Sequence, residues 1–127
     1  MFETLKIKLF GIQPVAKVSD VVLERLIQRE FGNQADLVRR KLLQVESETN
    51  VGRNRISAAI IRLSDKDINT IDRDIEQSKN EYRDLISQAE YPKCSKLGFI
   101  DMDKQNKKII YLDDWTEYSK WLNQDKL

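Results

Sequence analysis

Arg55-Ile56-Ser57-Ala58-Ala59-Ile60-Ile61-Arg62-Leu63 is the stretch around which the rest of the chain must arrange itself. Ile56, Ile60 and Leu63 recur at i, i+4 and i+7, and Ala59 shares their helical face. Ala58 and Ile61 widen the apolar arc until little more than one edge is left for water. A helix this apolar needs cover on several sides, so the spacing predicts a central helix in a mainly α domain. Arg53, Arg55 and Arg62 border it, with Arg55 and Arg62 on the remaining edge.

Towards the N-terminus, Ser19 reads as the N-cap of a helix whose stripe is Val22, Leu23, Leu26, Ile27 and Phe31, and Gly32 ends it. Asn33 opens the next helix, with Leu37, Val38, Leu42 and Val45 at core spacing and Arg39, Arg40 and Lys41 pointing mostly outward. The polar segment from Ser47 to Gly52 turns the chain into the central helix. In residues 2–10, Leu5, Ile7 and Leu9 alternate like a strand, while Phe2, Leu5 and Leu9 also fit a helical face. Gly11 and Pro14 beyond them favour a helix stop. The expected domain is single, spanning 1–127, with 1–18 loosely attached to a core of 19–127.

Towards the C-terminus, Ser64-Asp65-Lys66-Asp67 reads as a break and a new cap. Ile68, Ile71 and Ile75 give a narrow surface stripe, and Asn80 opens a further helix carrying Tyr82, Leu85, Ile86 and Ala89. Pro92 ends it, because a residue before proline is pushed out of the α region. Residues 99–112 stay open between two readings. Phe99–Asp103 and Lys108–Leu112 pair as a short β-hairpin, or Lys107–Leu112 is a turn feeding the last helix. Asp113 or Asp114 caps that helix, with Trp115, Tyr118 and Leu122 facing in and Trp121 at the edge. The expectation is a compact orthogonal bundle of five to seven helices.

Bulk composition narrows the chemistry. The 127 residues are 40% apolar and 34% charged, enough for one proper core, with only 4 Gly and 2 Pro. A single cysteine, Cys94, allows no internal disulfide and suits a reducing compartment. No signal peptide and no apolar run near the roughly 20 residues of a membrane span are found, so the default location is cytoplasmic. There is no histidine, which removes the commonest general base and most zinc and iron sites. Catalytic, cofactor-binding and metal residues are therefore expected to be none. Net charge is +1 but uneven: Val38–Arg62 holds six bases against two acids, and Ser64–Glu76 five acids against two bases.

Several constellations invite a function. Asp101-Met102-Asp103 opens like a calcium loop, but Asn106 replaces the turn glycine and Leu112 the bidentate glutamate. Arg39, Arg40, Lys41, Arg53 and Arg55 could meet phosphates, yet no helix-turn-helix spacing or glycine loop accompanies them, and pairing with neighbouring acids such as Glu46, Glu48 or Glu90 is the simpler reading. Glu90-Tyr91-Pro92 sets a carboxylate beside a phenol, with helix termination as the plainer account. Lys93 and Lys96 beside Cys94 could lower the thiol pKa, but with no histidine and no sequence-adjacent partner base a nucleophile is not expected. Trp115, Tyr118 and Trp121 form the densest aromatic cluster, mostly docking the last helix, with an exposed part available as a partner anchor.

Ala89-Glu90-Tyr91-Pro92 and Asp114-Trp115-x-x-Tyr118-x-x-Trp121-Leu122, with the Arg-led Arg55–Leu63 helix and the Arg83-Asp84 pair, resemble a group of small bacterial helical proteins. The likeness covers about residues 36–122 and departs at Ile109–Asp113. It implies a helical fold and carries no active site with it. The function expected first is a non-enzymatic protein acting through protein contacts, as a homodimer or a regulatory or immunity-type partner, through Trp121, Tyr118, Trp115, Arg53 and Arg55. The alternatives are phosphate or nucleic-acid binding through Arg39, Arg40, Arg53 and Arg55, and a carboxylate-based enzyme using Glu90.

Overall fold

The Ile- and Ala-rich stretch is the middle of a helix, Asn50–Ser64, in which Ala58, Ala59, Ile60 and Ile61 are all fully buried. The computed structural model describes residues 14–97 and 104–124. Over these residues the protein is a mainly α bundle: α1 Asp20–Phe31, α2 Ala35–Leu42, α3 Asn50–Ser64, α4 Ile71–Glu90, α5 Pro92–Leu97 and α6 Lys104–Asn123. Short 3₁₀ turns, Gly32–Gln34 and Ile68–Thr70, precede α2 and α4. The central helix packs most extensively on α4 and also meets α1. Leu26, Val38, Ile71 and Ile75 from three neighbouring helices join its isoleucines in one core. Each fully buried Leu or Ile contributes about 1.5–3 kcal/mol relative to exposure, and this shared core holds the bundle together.

Local chemistry sets the helix ends. Ser19 Oγ accepts from Val22 N at 3.2 Å, and Thr49 Oγ1 accepts from Gly52 N at 2.9 Å, each satisfying an otherwise orphaned amide. Gly32 closes α1 at φ 51°, in the half of backbone space that side chains rarely enter. Asp65 ends α3 in the left-handed region, and Asp67 caps the following turn. Asn33 caps nothing; α2 begins from Gln34 without a side-chain cap.

α4 breaks inside at Glu81 (φ −152°, ψ 84°), whose carboxylate accepts from Arg83 N at 3.1 Å. The new cap expected at Asn80 is thus one residue later. Leu85, Ile86 and Ala89 then face the core as their spacing requires, whereas Tyr82 is 48% exposed.

Three expectations are corrected. Lys108–Leu112 is no hairpin strand, because Lys104–Asn123 is one helix; Phe99–Asp103 lies outside the described residues. This helix meets α5, α4 and α1, so its apolar residues are spread round its circumference and leave no single stripe to read. Asp114 does not cap α6 but sits within it, 2% exposed, and receives Lys93 N at 3.2 Å and Cys94 N at 3.0 Å from the start of α5. Residues 14–18 are not loosely attached. Pro14, Ala16 and Val18 are buried in alternation, and the Tyr91 hydroxyl donates to Pro14 O at 3.0 Å. The helix-or-strand question for 2–10 falls outside the described residues.

Replacing Asp114 with Ala strips the Lys93 and Cys94 amides, the second of them buried, of their acceptor and is expected to cost about 1–3 kcal/mol. Asn, which keeps one acceptor oxygen, should lose less. Urea-unfolding midpoints of the two variants check the order.

Candidate partner-binding site

The apolar surroundings of α3 leave Arg55 little freedom. Its Nε and Nη2 donate to Glu90 Oε2 and Oε1, both at 2.9 Å, and the Glu90 side chain is wholly buried at the end of α4. A bidentate guanidinium–carboxylate pair is the geometry that best offsets burial of two charges. Tyr91 and Tyr118 lie buried close by, and burial pushes both phenols well above the ordinary tyrosine range. The Tyr118 hydroxyl has no hydrogen-bond partner among the described residues.

The outer side of Arg55 faces a cleft of about 410 Å³. Its floor is Ile56 and Ile86, one wall is Tyr82, and Glu46 and Glu48 stand in the loop between α2 and α3. Gly52 allows this loop to lie directly on α3. A Cβ there would come within 2.6 Å of Ser47 Oγ and 2.9 Å of the capping Thr49 Oγ1. The Glu81 break comes immediately before Tyr82, so the wall is built where α4 resumes.

The residues singled out from sequence divide cleanly. Arg39 is held by Glu24 through two hydrogen bonds (2.7 and 2.6 Å) and by Asp36 at 2.5 Å. That contact keeps the Glu24 carboxyl down at about 2, below its ordinary 4.5. Lys41 pairs with Asp72 at 2.7 Å, and Arg40 donates to Asp36 O at 3.4 Å. Arg53 lies near Asp20, whose carboxyl is lowered chiefly by Asn54 and then by Asn50. The basic set does not form one open patch: Arg39, Lys41 and Arg55 each hold an acid of this chain.

Trp121 is more buried than expected, at 8% exposure, and Trp115 less so. Arg29 and Arg62 each stand 5.2 Å from the Trp121 ring centroid, and its indole N–H donates to Glu30 Oε1 at 3.2 Å. Tyr118 packs at 5.5 Å from the same ring. Arg25 and Arg29 also donate to the carbonyls of Leu122 and Trp121, at 2.6 and 2.8 Å, placing two cations at the end of α6 where the helix dipole favours them. The aromatic cluster is therefore built into the core, and Trp121 is unsuited as a surface probe.

Cys94 is fully buried, and the effect of Lys93 and Lys96 is overridden. Burial, then the Asp114 carboxylate, pushes the thiol up to about 12 from 9.0. Folded protein is expected to resist thiol reagents at pH 8 and to react once unfolded in urea. Because the folded pKa is raised, the group favours the folded state fully below about pH 9, and this contribution fades as pH climbs towards about 12. Thermal melts from pH 8 to 11 should fall more steeply for wild type than for Cys94→Ala.

No group of acids or cysteines able to hold a metal ion occurs among the described residues. Asp101–Asp103 lie outside them, and Lys104–Leu112 is helical, which leaves no twelve-residue calcium loop. No helix among the described residues is long and apolar enough to cross a membrane. Tyr82 and the loop glutamates were the part missed as a site. The available signals were a tyrosine just after a helix break and a glycine facing two hydroxyls.

Fold and site together define an all-α bundle with a preformed, mixed-polarity cleft beside a buried ion pair. Compared with family models, curated proteins and solved structures, the chain matches none.

Proposed function

We propose that this chain works through contact with another protein and performs no chemistry of its own. The observation that carries this reading is the Arg55–Tyr82 cleft. It is concave and lined by the residue types that dominate interface energetics, Arg and Tyr, over an apolar floor. The groups an enzyme would need are committed elsewhere. Glu90 has its carboxylate spent on Arg55 and does not line the cleft, Tyr91 donates to Pro14, and the Cys94 thiol is buried. Phosphate or nucleic-acid binding is disfavoured on similar grounds, since Arg39, Lys41 and Arg55 are already paired.

The test variant is Tyr82→Ala, a half-exposed site where substitution should change stability by less than about 1 kcal/mol. The protein in extract of its own cells, or alone at high concentration, should form a complex by size exclusion with light scattering. Cross-links should map to residues 46–56 and 82–86, and Tyr82→Ala should melt like wild type yet fail to assemble. A strict monomer with no cross-linked partner, or an unimpaired Tyr82→Ala, would refute the reading.

A further inference from the structure

The cleft also has a definite charge. Glu46 and Glu48 are exposed and make no hydrogen bond or ion pair with any described residue, unlike Glu24, Asp36, Asp72 and Glu90. Arg55, the cation in the cleft, is compensated at 2.9 Å by the buried Glu90, and two of its donors face inward. What the cleft shows to solvent is therefore two unpaired carboxylates, the Ser47 and Thr49 hydroxyls and the half-exposed Tyr82 ring. An anion entering the cleft meets two unpaired carboxylates and an arginine whose fork is already occupied. A cation meets the two carboxylates and an arginine whose charge Glu90 already offsets.

We propose that this cleft receives a basic side chain, arginine in preference to lysine, presented by the partner protein. This deepens the protein-contact reading and rests on it. An arginine offers five donors in a planar fork, matched by the carboxylates and hydroxyls at the mouth. Its flat guanidinium can lie on the half-exposed Tyr82 ring. A lysine would satisfy the charge but neither the fork nor the stacking.

The experiment is an amide-resonance titration of the full chain with N-acetyl-arginine methylamide, in parallel with its citrulline, lysine and glutamate counterparts and with spermidine. The arginine probe should shift resonances of residues 46–56 and 82–86, with weaker shifts from lysine and none from citrulline or glutamate. Glu46→Gln/Glu48→Gln and Tyr82→Ala, both melting like wild type, should each weaken the arginine response by about tenfold. Equal shifts from citrulline, preference for the glutamate probe, or no response to arginine would overturn the proposal. Spermidine binding more tightly than the arginine probe would overturn it in favour of a free polyamine ligand. If Tyr82→Ala abolishes partner assembly while the arginine probe leaves the spectrum unchanged, the protein-contact reading stands and this assignment of partner chemistry falls.

Discussion

Ile60→Asp is expected to abolish the cooperative thermal transition altogether. Ile60 is fully buried midway along α3, with Ala59 and Ile61 equally buried beside it. Removing a large aliphatic side chain from such a site costs about 2–5 kcal/mol. The incoming carboxylate adds a desolvation penalty of several kcal/mol, because the hydrogen-bonding groups of α3 are already engaged in the helix. Together these terms approach the whole stability of a small domain, about 5–15 kcal/mol. Circular dichroism should show a shallow, uncooperative loss of helix. Ile60→Val, which removes one methyl group, should melt cooperatively with a loss of only about 0.5–1.5 kcal/mol. A sharp, wild-type-like melt for the aspartate variant would mean that α3 is not the packed centre of the bundle.

The second large effect is expected at Arg55. Arg55→Ala leaves the Glu90 carboxylate, whose side chain has no exposure, without its partner. Breaking a buried pair from one side costs about 3–5 kcal/mol, far more than the pair contributes in net terms. The double variant Arg55→Met/Glu90→Leu removes both charges and fills their space, so it should recover most of the lost stability. A urea-unfolding double-mutant cycle measures the difference. If Arg55→Ala costs less than about 1 kcal/mol, the value typical of solvated ion pairs, the pair is not desolvated as the structure shows. The recovered double variant also separates the two roles of Arg55, since it folds without the guanidinium that lines the cleft.

What the sequence made legible was what repeats within one helix. Ile56, Ile60 and Ala59 declared the buried face of α3, and Ser19, Gly32 and Pro92 marked boundaries through their own backbone chemistry. Even there the periodicity overreached. Leu63 is only partly buried and Leu37 is 41% exposed, because a spacing rule says which face is apolar and not how far the neighbouring helix covers it. The rest depends on distant partners. Asp114 reads as a helix start until α5 brings two amides to it from 20 and 21 residues away. Trp121 reads as an edge residue until Arg29 and Arg62 close over it. Pairing of Arg55 with Glu90 is one of the readings the sequence allows, but only the folded chain shows that Tyr82, 27 positions along from Arg55, completes a cleft with it.

The guanidinium contacts from α1 to the last turn of α6 join residues 97 and 92 apart in the chain. During synthesis, the helix bearing Arg25 and Arg29 is finished well before the carbonyls it must meet have been made. Until the last turn of α6 has been made, that flank of α1 lacks these carbonyl partners. Late closure of so long a loop slows folding relative to bundles held by neighbouring helices. The flank of α1 that bears Arg25 and Arg29, and the face of Trp121 under Arg29, are covered only when that turn docks, so a partly folded chain leaves them open.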